Sequence, residues 1–93
     1  MSALTDDHAA ASAAGDLSRL RWQCRRGMLE LDVLLEAFLD QHYAALSPRL
    51  QRHFFQLLEF PDPIIHGWCV SGKDPEDEEF RELVAGIRET RLA

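Results

Sequence analysis

The sequence has few cysteines and few basic residues, and it has no long apolar run. Cys24 and Cys69 form no CxxC pair, which argues against a disulfide scaffold or a structural zinc site and favours a reducing compartment. No apolar stretch approaches the roughly 18–20 residues that a membrane span needs, so we expect no membrane span. Ten Lys and Arg against sixteen Asp and Glu give a net charge of −6 at pH 7, which argues against binding nucleic acid. The first 18 residues contain no Lys or Arg, unlike a basic targeting signal, and we therefore expect a cytoplasmic protein.

Sequence patterns typical of active sites are also missing. The five glycines are scattered and form neither GxGxxG nor GxxxxGK, so no phosphate-binding loop is predicted. The four histidines form no HxxxH or HExxH pair, which predicts no metal site. No Ser or Cys has a base at a suggestive spacing, and Cys24 and Cys69 are expected to be buried packing residues. We therefore expect no catalytic residue, no metal and no stably bound cofactor, and a protein that is not an enzyme.

What the sequence does have is helical periodicity, in a chain of 93 residues of which 46% are hydrophobic. This length fits one domain, and no stretch shows the alternation that is typical of a strand. From Asp16 onwards apolar residues recur at helical spacing, and Gly27 is expected to end the first helix as its C′ residue. A longer apolar stripe follows over residues 28–42. We predict an all-α fold, a compact five-helix bundle formed as a single domain by residues 16–93, preceded by a flexible N-terminal tail at 1–15.

Three further helix starts share one pattern, in which a capping side chain precedes a proline at the first helical position. They are Ser47-Pro48, Asp62-Pro63 and Asp74-Pro75. Gly72 is expected to end the fourth helix. The predicted core consists of apolar side chains from the second to fifth helices: Leu31, Leu35, Phe38, Phe54, Leu58, Trp68, Leu83 and Ile87.

Two charged segments are candidates for contact with a partner. Four arginines concentrate positive charge around the first corner of an otherwise acidic chain: Arg19, Arg21, Arg25 and Arg26. They form either a contact patch or a solvated helix end. Gly27 would let another backbone approach closely, and Glu30 either pairs with Arg26 or points outward. The acidic stretch 74–82 is either the solvated start of the fifth helix or a docking surface for a basic partner.

The most specific motif lies in the segment from Arg25 to Asp32, which reads RRGMLELD. Arg26, Gly27 and Glu30 match the pattern Arg-Gly-x-x-Glu. Further matching positions lie on both sides of it: Trp22, Cys24, Phe38, Tyr43, Leu46, Phe54, Leu57, Leu58, Glu59, Asp62, Pro63 and Trp68. Over about residues 20–92 the chain thus resembles the SdhE-type succinate dehydrogenase assembly factors.

The resemblance implies a five-helix maturation factor without an active site of its own. It implies that the chain promotes covalent attachment of FAD to the flavoprotein subunit of succinate dehydrogenase, and of fumarate reductase where present, and that FAD belongs to this client. The client-binding residues would be Arg25, Arg26, Gly27, Glu30 and Asp62. We expect a monomer, because the apolar stripes suffice for one core only. Two alternatives stay open here, an antitoxin-like helical regulatory module and an interaction domain that offers its acidic fifth helix to another partner.

Overall fold

The computed structural model describes residues 17–92, and within them every regular element is a helix. Helix α1 covers residues 17–23 of this range. It is followed by α2 (Leu29–His42), a 3-10 turn (Tyr43–Ala45), α3 (Pro48–Leu57), α4 (Asp62–Cys69) and α5 (Glu78–Arg88). Five helices and the absence of strands between residues 17 and 92 confirm the predicted all-α fold. The predicted tail at 1–15 and the start of the first helix at Asp16 lie outside the described residues.

Helix α5 packs against three other helices, α2, α3 and α4. Seven of the eight predicted core residues are buried, and only Trp68 is half-buried. Its ring packs edge-on against Phe60 at 5.0 Å between centroids and borders a surface cavity, so one side of the indole stays accessible. None of the helices between residues 17 and 92 is both long and apolar enough to cross a bilayer.

The predicted helix starts are confirmed at α3 and corrected at α4 and α5. Ser47 caps α3, and its hydroxyl accepts a hydrogen bond from the backbone N–H of Leu50 at 3.2 Å. Asp62 caps nothing, because α4 begins at Asp62 itself and the carboxylate is occupied by an arginine. Helix α5 begins at Glu78 rather than at Pro75, and Asp77 caps it by accepting from the N–H of Glu79 at 2.9 Å.

Two glycines turn the chain in the loops that follow α1 and α4, and Gly72 lies beyond the end of α4 at Cys69 rather than ending that helix directly. Gly27 and Gly72 have φ angles of 85° and 82°, in the left-handed region that side chains with a Cβ rarely adopt. The prediction that Gly27 follows the first helix directly is wrong in position, because α1 ends at residue 23. A tight turn separates Gly27 from the end of α1. In this turn the N–H of Arg25 donates to the carbonyl of Trp22 at 3.1 Å. The corner between α1 and α2 is therefore a short loop, and Gly27 lies in it.

Candidate functional site

The candidate site is the corner between α1 and α2, and a carboxylate of α2 fixes its backbone. Asp32 accepts hydrogen bonds from the backbone N–H groups of Arg26 at 2.7 Å and of Gly27 at 3.1 Å. A carboxylate in the first turns of a helix that reaches back to preceding N–H groups works as in a capping box, because it satisfies donors that have no partner within the helix. Two backbone N–H groups of the corner thus donate to the two oxygens of one carboxylate.

Arg26 ties this corner to two other parts of the fold. Its guanidinium donates to the carbonyl oxygens of Gln23 and Leu58, each at 2.9 Å, and to that of Phe60 at 3.2 Å. Its Nε donates to the carboxylate of Asp62 at 2.7 Å. The side chain is only 17% exposed. Arg26 therefore joins the end of α1, the end of α3 and the start of α4, with four of the roughly five N–H donors that a guanidinium offers.

The same contact explains why Asp62 does not cap its helix. A carboxylate that faces a guanidinium gains the attraction of a full opposite charge in addition to a hydrogen bond, and a neutral backbone N–H does not supply that charge. Asp62 keeps 38% of its side chain exposed, so it lies at the edge of the Arg26 network. Of the five residues predicted for the site, the structure joins Arg26 and Asp62 directly, and it places Gly27 next to them.

Glu30 is separate from this network, although the sequence left open a pair with Arg26. Its side chain is exposed, and no hydrogen bond or ion pair is formed by it among residues 17–92. Its neighbour Leu29 is 79% exposed, an unusual degree for a large apolar side chain. Both border a shallow groove of about 460 Å³ that Val33 and Leu92 also line. Open space faces Gly27, because a Cβ built there would meet nothing within 4 Å. The corner therefore presents an unpaired carboxylate beside apolar surface and bare backbone.

The arginines of the predicted contact patch are only partly available to a partner protein. Arg21 pairs with Asp40 of α2 at 2.6 Å, and the hydrogen bond that the guanidinium donates to this carboxylate raises the pKa of Arg21. Arg25 lies 3.8 Å from Glu36 and 5.8 Å above the ring of Trp22, which is 71% exposed. Two of the four patch arginines thus pair with α2, Arg21 from α1 and Arg25 from the loop that follows it, and Arg26 pairs with Asp62 of α4.

Both cysteines are buried, as predicted. Burial raises the pKa of the Cys24 thiol to about 12, and that of the Cys69 thiol likewise to about 12. A thiol with so high a pKa carries almost no thiolate near neutral pH, and the thiolate is the reactive form. No group of three or more His, Cys, Asp or Glu side chains that could hold a metal ion occurs in the described part of the chain.

Sequence reasoning missed Asp32 and the three carbonyl acceptors of Arg26. For Asp32 a signal existed, since an acidic residue in the first turns after a glycine corner is typical of a reciprocal cap. No sequence signal pointed to the carbonyl oxygens of Leu58 and Phe60, because these residues lie 32 and 34 positions from Arg26 and every residue has a carbonyl group.

Helical fold and corner together define a class: small all-helical proteins with an Arg-Gly-x-x-Glu corner between their first two helices. Residues 18–91 match the family described as "Flavinator of succinate dehydrogenase". The chain belongs to this family.

Curated relatives carry a name that agrees with this membership. The chain is 41% identical over 71 residues to the FAD assembly factor SdhE of Coxiella burnetii, a match that covers 76% of this chain and 87% of the relative. It is 47% identical over 72 residues to that of Idiomarina loihiensis, covering 77% and 80%. For the Pseudomonas aeruginosa protein of the same name, the identity is 45% over 72 residues, covering 77% and 86%. The resemblance inferred from the motif is thereby confirmed.

Proposed function

We propose that this chain promotes the covalent attachment of FAD to the flavoprotein subunit of succinate dehydrogenase. The observation that carries the proposal is the family match over residues 18–91, which contains the whole corner and all of α2 to α5. The name FAD assembly factor, borne by relatives of up to 47% identity, supports the same activity. Where a fumarate reductase is present, we propose its flavoprotein subunit as a second client.

The corner has two kinds of residue, and we assign them two different roles. Arg26 stabilises the conformation of the corner, because its guanidinium donates its hydrogen bonds to Asp62 and to backbone carbonyls within the chain. Glu30 contacts the client, because its carboxylate is exposed and has no partner within residues 17–92. Gly27 lets the client approach the backbone, since the space in front of it is open. Arg25 and Asp62 lie at the rim and add polar contacts.

A chain with these properties acts by binding rather than by chemistry of its own. The bond between flavin and client forms from the client's residues, and FAD stays with the client. A partner that binds one arrangement of the client more tightly raises the population of that arrangement. Correct orientation of reacting groups supplies a large part of a rate gain. The factor therefore holds the client in the reactive arrangement. We propose that it does so as a monomer and that residues 16–93 suffice.

The test measures covalent flavin directly. Purified apo-flavoprotein subunit is incubated with FAD and a dicarboxylate, with and without the chain, and the flavin that survives denaturation is read by fluorescence in the gel. Glu30→Ala is compared with Glu78→Ala, since both carboxylates are exposed and neither has a side-chain partner within residues 17–92. A chain that begins at Asp16 tests the contribution of the first 15 residues.

We expect the wild type, Glu78→Ala and the shortened chain to raise the fluorescent band, and Glu30→Ala to fail although it is folded. The two glutamates then differ only in position, so the difference assigns the contact to the corner. If no variant, the wild type included, raises the band or forms a complex with the client, the proposed activity is wrong. If Glu30→Ala is as active as Glu78→Ala, the activity stands but the contact role of Glu30 is wrong.

A further inference from the structure

A second cavity, of about 440 Å³, lies between α4 and the start of α5, and its apolar part is aromatic. Phe60, Trp68 and Phe80 pack on one another with ring centroids 5.0 to 5.9 Å apart. Ile64, which is 43% exposed, completes the apolar wall. Since Trp68 is only half-buried, the cavity offers an accessible aromatic surface. Such surfaces attract cations through the negative faces of the rings.

The opposite wall is a loop that carries acidic side chains. Asp74, Glu76 and Asp77 line the cavity together with Lys73, which gives this wall a formal excess of negative charge. Asp74 is paired with Arg88, and Asp77 caps α5. The carboxylate of Glu76 has no partner between residues 17 and 92, and it is exposed. One unpaired acid thus lies at the rim of an aromatic cavity.

Two arginines of α5 hold this loop in place. Arg88 donates to the carbonyl oxygen of Trp68 at 2.7 Å and to that of Lys73 at 2.5 Å. Arg81 donates to the carbonyl oxygen of Pro75 at 2.8 Å, and Pro75 is itself buried. The acidic wall is therefore fixed relative to the aromatic wall before any ligand arrives. A preformed site loses little conformational entropy on binding.

We infer that this cavity binds a lysine or arginine side chain on a basic segment of a partner protein. The aromatic wall takes the aliphatic stem and the face of the cation, and Glu76 pairs with its charge. Charge complementarity selects this occupant, because the chain carries a net charge of −6 and three acidic side chains line the cavity beside a single lysine. The inference goes beyond the proposed function, since neither Glu30 nor Gly27 lines this cavity.

The experiment uses the fluorescence of Trp68 as a local probe. The chain has two tryptophans, so Trp22→Phe, at an exposed position, leaves Trp68 alone. A blocked Gly-Lys-Arg-Lys-Gly peptide is titrated into this protein, and a peptide with Gln in place of each basic residue is the control. Three further substitutions are then compared: Glu76→Gln at the rim, Glu78→Gln as a matched loss of one charge outside the cavity, and Lys73→Gln.

We expect the basic peptide to change the emission of Trp68 in a saturable way and the neutral peptide to leave it unchanged. Glu76→Gln should weaken binding about twofold to fivefold, the range for one exposed ion pair, whereas Glu78→Gln should weaken it by much less. Lys73→Gln should strengthen binding, because it removes a like charge. The inference is overturned by an equal response to both peptides, by equal effects of the two glutamate substitutions, or by no saturable change up to about 10 mM peptide.

Discussion

Replacement of Arg26 by alanine separates a structural role of the motif arginine from a contact role. The substitution leaves three carbonyl oxygens without their donor and breaks the pair with Asp62. Each intramolecular hydrogen bond contributes about 0.5–1.5 kcal/mol net, and a partly exposed ion pair about 0.5–1 kcal/mol. Because water can reach part of the site, we expect a loss of about 2–4 kcal/mol in the free energy of unfolding. A chain of this length has a total of about 5–15 kcal/mol, so the variant should still fold.

The assay is urea unfolding followed by far-UV circular dichroism, with Arg25→Ala as the matched control. Arg25 is the adjacent arginine, but 60% of its side chain is exposed and its ion pair spans 3.8 Å. We therefore expect Arg25→Ala to change the free energy of unfolding by less than about 0.5 kcal/mol. An Arg26→Ala variant as stable as the wild type would refute the reasoning, since the four hydrogen bonds would then contribute nothing.

A second measurement asks how the Arg26 variant loses activity. If Arg26 acts by holding the corner, an osmolyte that favours the compact state should restore part of the flavin attachment by Arg26→Ala. The same osmolyte should not rescue Glu30→Ala, because that variant is folded and lacks a contact. Rescue of neither variant, with both fully folded, would assign Arg26 to the client interface instead.

Three further predictions concern the corner and the core. Gly27→Ala and Gly72→Ala should each lose about 1–2 kcal/mol of stability, since both force a side chain into the left-handed region. Only Gly27→Ala should lower flavin attachment, and equal activity of the two variants would contradict the proposed close approach of the client to Gly27. Asp32→Ala should lower the free energy of unfolding by about 1–3 kcal/mol. It should also speed hydrogen exchange at the amides of Arg26 and Gly27, because it removes their acceptor. An unchanged exchange rate at these amides would contradict the cap. Cys24 and Cys69 should resist a thiol reagent until urea unfolds the chain, and rapid labelling of the native protein would contradict their burial. The free energy of unfolding should also fall as pH rises from about 9, the ordinary thiol pKa, towards 12, because the unfolded state releases its thiol protons first.

Much of the fold was predictable, because helical periodicity and burial have the same cause. Leu31, Leu35 and Phe38 recur at the spacing of one helix face, and all three are buried. The errors concern helix ends, as at Gly27, and helix starts. Asp62 and Asp74 both precede proline, which predicts a cap, but each carboxylate faces an arginine 36 or 14 positions away. A local rule fails there because a cation that is distant in sequence adds the attraction of a full opposite charge, which the nearby backbone N–H lacks.

The candidate site was predictable as a set of residues and not as a set of roles. Arg26, Gly27 and Glu30 could be found from the motif, whereas the acceptors of Arg26 depend on how α1, α3 and α4 pack together. From the sequence alone, Arg26 and Glu30 look like equivalent charged contacts one helical turn apart. Their surroundings in the fold differ in the property that decides a role, since the donors of Arg26 are satisfied internally and the carboxylate of Glu30 is not. Loss of activity on replacing Arg26 therefore cannot by itself count as loss of a client contact, whereas loss of activity in a stable Glu30 variant can.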